Sequence, residues 1–103
     1  MYTYPVYPRV VIRSVRLSRR AEESLKHLPD HVVRKLLAWV DAVEHEGLEE
    51  VRRIPGYHDE PLHGVWRGHR SIRLSRAYRG IYRIAWDGEL EIAVVEEVNK
   101  HEY

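Results

Sequence analysis

Several residues in this 103-residue chain have types and spacings suited to acid–base and anion chemistry. Glu60 begins the run Glu60-Pro-Leu62, directly after His58 and Asp59. A carboxylate at the entrance to a strand can take a proton from a hydroxyl, and a solvated surface acid is the ordinary alternative. Arg73 and Arg79 flank the short connection Ser75-Arg-Ala-Tyr78. An odd-numbered hairpin loop brings both guanidiniums to one face and an even-numbered one separates them, a choice the sequence leaves open. His101 and Tyr103 lie two apart, so an extended segment points both to one side. One Glu, one His, one Tyr and several Arg are a sufficient set for metal-free RNA cleavage. A base takes the proton of a 2′-hydroxyl, cations stabilise the charged phosphorane, and an acid protonates the departing 5′-oxygen.

Other chemistries find no support. The chain has no cysteine, which excludes disulfides, thiol redox chemistry and cysteine-based zinc sites. Seven histidines invite a metal reading. His27 and His31 stand at i and i+4, but Pro29 between them breaks the helix that would align them, and His58 and His63 lack a spaced third ligand. Neither a Gly-rich phosphate loop nor a serine in a nucleophile turn is present. The expectation is therefore no metal and no cofactor. No apolar run approaches the ~18–20 residues of a membrane span. The Tyr- and Pro-rich start lacks the basic and apolar segments of a signal peptide. A soluble cytoplasmic protein with no membrane partner is expected.

The net charge of +1 conceals a pattern. Residues 1–20 hold five Arg and no acid, and residues 21–60 hold ten acids against five bases. Residues 61–85 hold six Arg and no acid, and residues 86–103 hold six acids against Lys100. Like charges crowded on one segment cost stability unless a partner absorbs them, and arginine is the cation best matched to phosphate.

These residues need a scaffold, and periodicity supplies one. The chain reads as a single domain over 1–103, with residues 1–8 as an irregular arm. Arg9 to Leu17 is rich in β-branched residues and predicts a first strand. Ser18 is a good N-cap for a helix through Ala21, Leu25 and Leu28 that ends at Pro29. Asp30 caps a second helix, whose stripe is Val32, Val33, Leu36, Leu37, Val40 and Val43, with Gly47 at its end. Leu48 to Gly56 is a turn of helix followed by a loop. From Glu60 the period becomes two, giving strands over His69–Leu74, Arg79–Trp86 and Leu90–Val98, with Asp87-Gly88 as a tight type I′ turn. The fold class is α+β, in the order β-α-α-β-β-β. The helical hairpin packs on one face of an antiparallel sheet and leaves the other free for a site.

The succession Glu60-Pro-Leu-His-Gly64, Gly68-His-Arg-Ser-Ile-Arg-Leu74, Tyr78-Arg-Gly-Ile-Tyr82 and the final His-Glu-Tyr resembles the RelE/ParE superfamily of toxin–antitoxin toxins, closest to its RelE, HigB and YoeB branch. The resemblance runs from about Arg9 to Tyr103. It implies a RelE-like fold and a ribosome-dependent, metal-independent mRNA endonuclease that inhibits translation. It also implies a cognate antitoxin, with which the toxin forms a hetero-oligomer that binds operator DNA, and the ribosome and mRNA as further partners. By resemblance Glu60 is the general base, Arg79 stabilises the phosphate, and His101 and Tyr103 occupy the acid/base and base-stacking positions. Arg73 matches a basic residue near the scissile phosphate, and Arg67, Arg70 and Arg83 are further phosphate-binding candidates. The same superfamily also contains ParE-like non-enzymatic inhibitors of DNA gyrase, the alternative function.

Overall fold

The structure, a computed structural model, describes residues 11–100. Arg9, Val10, His101 and Tyr103 therefore lie outside the described residues. The elements run β1 (Val15–Leu17), α1 (Arg19–Leu25), α2 (Asp30–Glu46), α3 (Leu48–Arg52), β2 (Glu60–Pro61), β3 (Arg70–Arg73), β4 (Tyr78–Trp86) and β5 (Glu91–Lys100). Single 3-10 turns at Pro55–Tyr57 and Gly64–Trp66 precede β2 and β3. Among the described residues the strands form one sheet in the order β1-β5-β4-β3-β2.

The helices begin and end for local reasons. Ser18 Oγ accepts the Ala21 N–H at 3.0 Å, capping α1, and donates to the Glu96 carbonyl at 2.7 Å, which ties the cap to β5. Helix α2 starts after Pro29, which is its N-cap, so Asp30 is the first helical residue and makes no side-chain cap. Gly47 closes α2 at φ +88°, a left-handed conformation that favours glycine. A Cβ there would stand 2.5 Å from Val11 Cγ1. The buried stripe of α2 is Val32, Leu36, Trp39 and Val43, while Leu37 is half exposed. This stripe packs with Ala21, Leu48 and Val51 on Ile72, Leu74, Tyr82, Ala93, Val95 and Val98 of the sheet.

Three expectations about the sheet are corrected. The first strand, expected over Arg9–Leu17, is confined among the described residues to Val15–Leu17. Residues 11 and 12 turn to the α2–α3 corner instead, where the Ile12 carbonyl accepts the Leu48 N–H at 2.9 Å. The sheet is mixed rather than antiparallel, because β1 pairs in parallel with β5 in the register Val15↔Ala93. The tight turn between β4 and β5 has Gly88 and Glu89 as its central pair, with Gly88 at φ +108°. Asp87 precedes them, and its Oδ1 accepts the Glu89 and Leu90 N–H groups, both at 2.8 Å.

A buried carboxylate fixes the outer edge of the sheet. The Asp59 side chain is 1% exposed. Its Oδ1 accepts Arg70 Nε at 2.5 Å and its Oδ2 accepts the Tyr82 hydroxyl at 2.5 Å. Arg52 Nε donates to the same phenol oxygen at 3.3 Å. Tyr82 itself is fully buried and tilts against Trp39 with ring centroids 5.1 Å apart. Strand β2 has only two residues, paired Glu60↔Ser71 and Pro61↔Arg70. Two ladder residues cannot hold an edge strand alone, so its placement depends on the Asp59 anchor.

Burial, reinforced by the hydrogen bond to Asp59, pushes the Tyr82 hydroxyl well above the usual phenol range. Below about pH 10 both folded and unfolded chains hold this proton. Above it the unfolded chain ionises first, so stability falls as pH rises. Tyr82→Phe leaves one Asp59 oxygen without its donor and is expected to cost about 1–3 kcal/mol at pH 7. The same substitution should shrink the alkaline loss, with the part due to Tyr57, also raised by burial, remaining. Denaturant melts at pH 7 and pH 10.5 check both effects, and an unchanged alkaline slope would refute the Tyr82 assignment.

Candidate active site on the open sheet face

Strand alternation divides the basic residues between two faces. Ile72, Leu74, Tyr82, Ala93, Val95 and Val98 face the helices. Arg73, Arg79 and Arg83 occupy the alternate positions on β3 and β4 and so share the opposite face, and Glu60, opposite Ser71, joins them. The register Arg73↔Arg79 settles the loop question. Ser75, Arg76 and Ala77 form a three-residue connection, and the two arginines are direct cross-strand partners. Ser75 Oγ accepts the Ala77 and Tyr78 N–H groups at 3.2 and 3.1 Å and so shapes this turn. Asn99 of β5 stands opposite Arg79 on its other side.

At the centre of this face, Arg79 Nη2 lies 3.3 Å from Glu60 Oε1. The other carboxylate oxygen, Oε2, is 3.4 Å from His58 Nε2. The Arg79 side chain is 24% exposed and that of Glu60 39%. An ion pair with this access to water is worth about 0–1 kcal/mol. It holds two groups in place without locking them, so an anion can take the guanidinium and release the carboxylate. The Asp59 anchor, one residue away and buried, is of a different order, since stripping a partner from a buried charge costs about 3–5 kcal/mol. Thus the neighbouring acids divide the work. Asp59 holds the strand and Glu60 is presented on it.

His58 is the residue that sequence reasoning weighed only as a metal ligand. It adopts φ +44°, the left-handed region that a non-glycine residue rarely enters, and its ring nitrogen reaches Glu60. The spacing His58-x-Glu60 was the available signal. Among the described residues no group of three or more His, Asp and Glu side chains converges as a metal ion would need.

The remaining expected site residues are distributed unequally. Arg83 lies on the same face, its Nε donating to Glu96 Oε1. Arg70 does not join the group, because it pairs with Tyr82 in register and therefore faces the helix side, held by Asp59. Its role as a free phosphate ligand is corrected to that of a structural partner. Arg67 follows the Gly64–Trp66 turn in an exposed loop, off the sheet face. His101 and Tyr103 lie outside the described residues.

No protein-family model matches the chain, and no curated protein matches it. Solved structures do. YafQ from E. coli strain BL21(DE3) matches with a TM-score of 0.64 at 19% identity, over 86% of this chain and 93% of that one. The RelE–RelB complex from the archaeon Pyrococcus horikoshii OT3 gives a TM-score of 0.62 at 23% identity, over 84% and 92%. The RelBE2 toxin–antitoxin complex from Mycobacterium tuberculosis gives 0.54 at 28% identity, over 88% of this chain and 100% of that one. Together with the helix layer on a mixed sheet, these matches show that the chain has a RelE-like α+β fold, the fold of the YafQ and RelE structures.

Proposed function

We propose that this protein is the toxin of a toxin–antitoxin pair and an endoribonuclease that cleaves mRNA on the ribosome. The observation that carries the reading is the pairing of Glu60 with Arg79, with Arg73 directly across from Arg79 on an open face. A phosphodiester placed between the two arginines displaces the weak ion pair and frees Glu60 to take the 2′-hydroxyl proton. The 2′-oxygen then forms its bond to phosphorus, the bond to the 5′-oxygen breaks, and the products are a 2′,3′-cyclic phosphate and a 5′-hydroxyl. Arg79 and Arg73 meet the charge that develops on the phosphorane. His58 positions the base through its contact with Oε2. The proton for the leaving oxygen is assigned to His101, and stacking on a base to Tyr103, on the sequence resemblance. Arg83 and Arg67 contact phosphates farther along the strand.

The antitoxin partner is supported by the RelE–RelB and RelBE2 complexes among the structural neighbours. With that partner the toxin forms the hetero-oligomer that binds operator DNA. Among the described residues no helix is long and apolar enough to cross a membrane. The toxin is assigned to the cytoplasm, where its ribosomal target resides.

Arg79→Ala is expected to slow cleavage of ribosome-bound mRNA by roughly 10²-fold or more, the scale of removing one transition-state donor. Its stability should change by about 1 kcal/mol or less, as expected of a half-exposed pair. Full activity in a folded variant would remove Arg79 from the mechanism. The wild-type reaction should leave cyclic phosphate ends and stop translation, whereas inhibition of DNA supercoiling with translation intact would overturn the nuclease reading.

Because side chains carry every proton and charge in this scheme, a chelator added to preassembled, polyamine-stabilised mRNA complexes should leave the cleavage rate unchanged. Loss of cleavage under those conditions would place a metal ion in the chemical step.

A further inference from the structure

Strand β3 pairs with β4 only as far as Arg70↔Tyr82, so among the described residues the outer edge of β4 is uncovered over 83–86. A cavity of about 260 Å³ opens at this edge, between Arg52 at the end of α3 and the loop 62–69. Its walls include Arg52, His69, Arg70, Tyr82 and Arg83, and among the described residues no Asp or Glu lines it. Arg83 comes from the open face and Tyr82 from the helix side, so the cavity straddles the edge and is continuous with both faces.

Two of its guanidiniums are held by one edge only. Arg52 Nε donates to the Tyr82 phenol oxygen, and Arg83 Nε donates to Glu96. In both, the hydrogen bonds made among the described residues run through Nε alone. Each side chain is thereby oriented while its terminal Nη groups, the fork that matches a tetrahedral oxyanion, remain for another partner. The charges are not equally offset. Asp59 answers Arg70 and Glu96 answers Arg83, whereas Arg52 meets a phenol and, among the described residues, no carboxylate. One cation is left over at a wall that already holds two guanidiniums, and an anion relieves the repulsion. The same wall carries an unmet polar group, because His69 Nδ1 is buried with no hydrogen-bond partner among the described residues.

We propose that this cavity binds a phosphate group through the Nη groups of Arg52 and Arg83, while Arg70 stays with Asp59. The phosphate arrives on an RNA strand that passes Arg83 from the open face, or on a small phosphate compound. The chemistry recognised is the same, and the site does not depend on the RNA-cleavage reading. Because Arg52 bonds to Tyr82, and Tyr82 to Asp59, an anion here also steadies the anchor that holds Glu60.

The test compares thermal unfolding of the full chain in inorganic phosphate and in chloride at equal ionic strength. Phosphate should raise Tm by roughly 5 °C once it exceeds its dissociation constant about tenfold. R52Q should lose that rise, R52K should keep part of it, and K26Q, which removes an equal charge from α1, should keep all of it. An equal rise in wild type and R52Q would be general exclusion of phosphate from the surface and would overturn the site, as would no rise at all. The wild type also tests the site without any substitution. Phosphate should shift the amide NMR signals of Gly68, His69 and Arg70 saturably, and shifts found only elsewhere would overturn it. A 2′-O-methyl RNA oligonucleotide, uncleavable because its 2′-oxygen is blocked, separates the two sources. An RNA phosphate in the cavity predicts that R52Q lowers the slope of log affinity against log salt by about 0.7, one single-strand contact. Equal slopes, with the wild-type Tm rise intact, uphold the site and assign it to a small phosphate compound. No arm reads cleavage, so protein that binds phosphate as expected and cuts no RNA would refute the cleavage reading and uphold the site.

Discussion

The buried carboxylate of Asp59 is the interaction on which the candidate site depends. A charge removed from water is tolerated only when its oxygens are fully engaged, and here a guanidinium and a phenol engage both. One of those donors belongs to β3 and the other to the centre of β4, so the anchor joins a loop to two neighbouring strands. A two-residue edge strand is thereby held in register, and Glu60, its first residue, is aimed at Arg79. Tyr82 extends the effect inward by packing on Trp39, so the position of Glu60 is coupled to the main core.

The alternating blocks of charge in the sequence acquire a meaning in this frame. The acid-free segment 61–85 is covered by carboxylates from the blocks on either side: Asp59 and Glu60 from before it, Glu96 from after it. The three pairs differ in burial and hence in consequence. Asp59 with Arg70 is structural, whereas Glu60 with Arg79 is open to water and exchangeable. Self-neutralisation accounts for part of the arginine content.

Much of the scaffold was legible because it is written in local periodicity. Ser18, Pro29 and Gly47 bound the helices, and the alternation of Ile81 to Trp86 marks a strand without any tertiary information. The parallel pairing of β1 with β5 was not legible, because no local signal joins residues so far apart in the chain. The site was legible in composition and less so in geometry. Asp59 and Glu60 are adjacent acids whose opposite fates are decided by burial alone. Arg70 could have been excluded, since a residue three positions from Arg73 on one strand cannot share its face. His58 was hidden by its left-handed backbone, a conformation too uncommon in any non-glycine residue to be read from sequence.

One irregularity in β5 carries a consequence for how this fold can change. Tyr82 lies opposite Val95 and Ile81 opposite Glu97, so Glu96 is an extra residue in the ladder. A strand has a reading frame of two, and a one-residue insertion or deletion anywhere along a regular stretch exchanges its inner and outer faces. Glu96 joins two such frames: Ala93 and Val95 face the helices before it, Val98 after it. Loss of that single residue would leave both frames as they are, removing only the Arg83 partner and the carbonyl that receives Ser18. The bulge is thus a joint at which the length of the strand can drift by one without turning its apolar side to water.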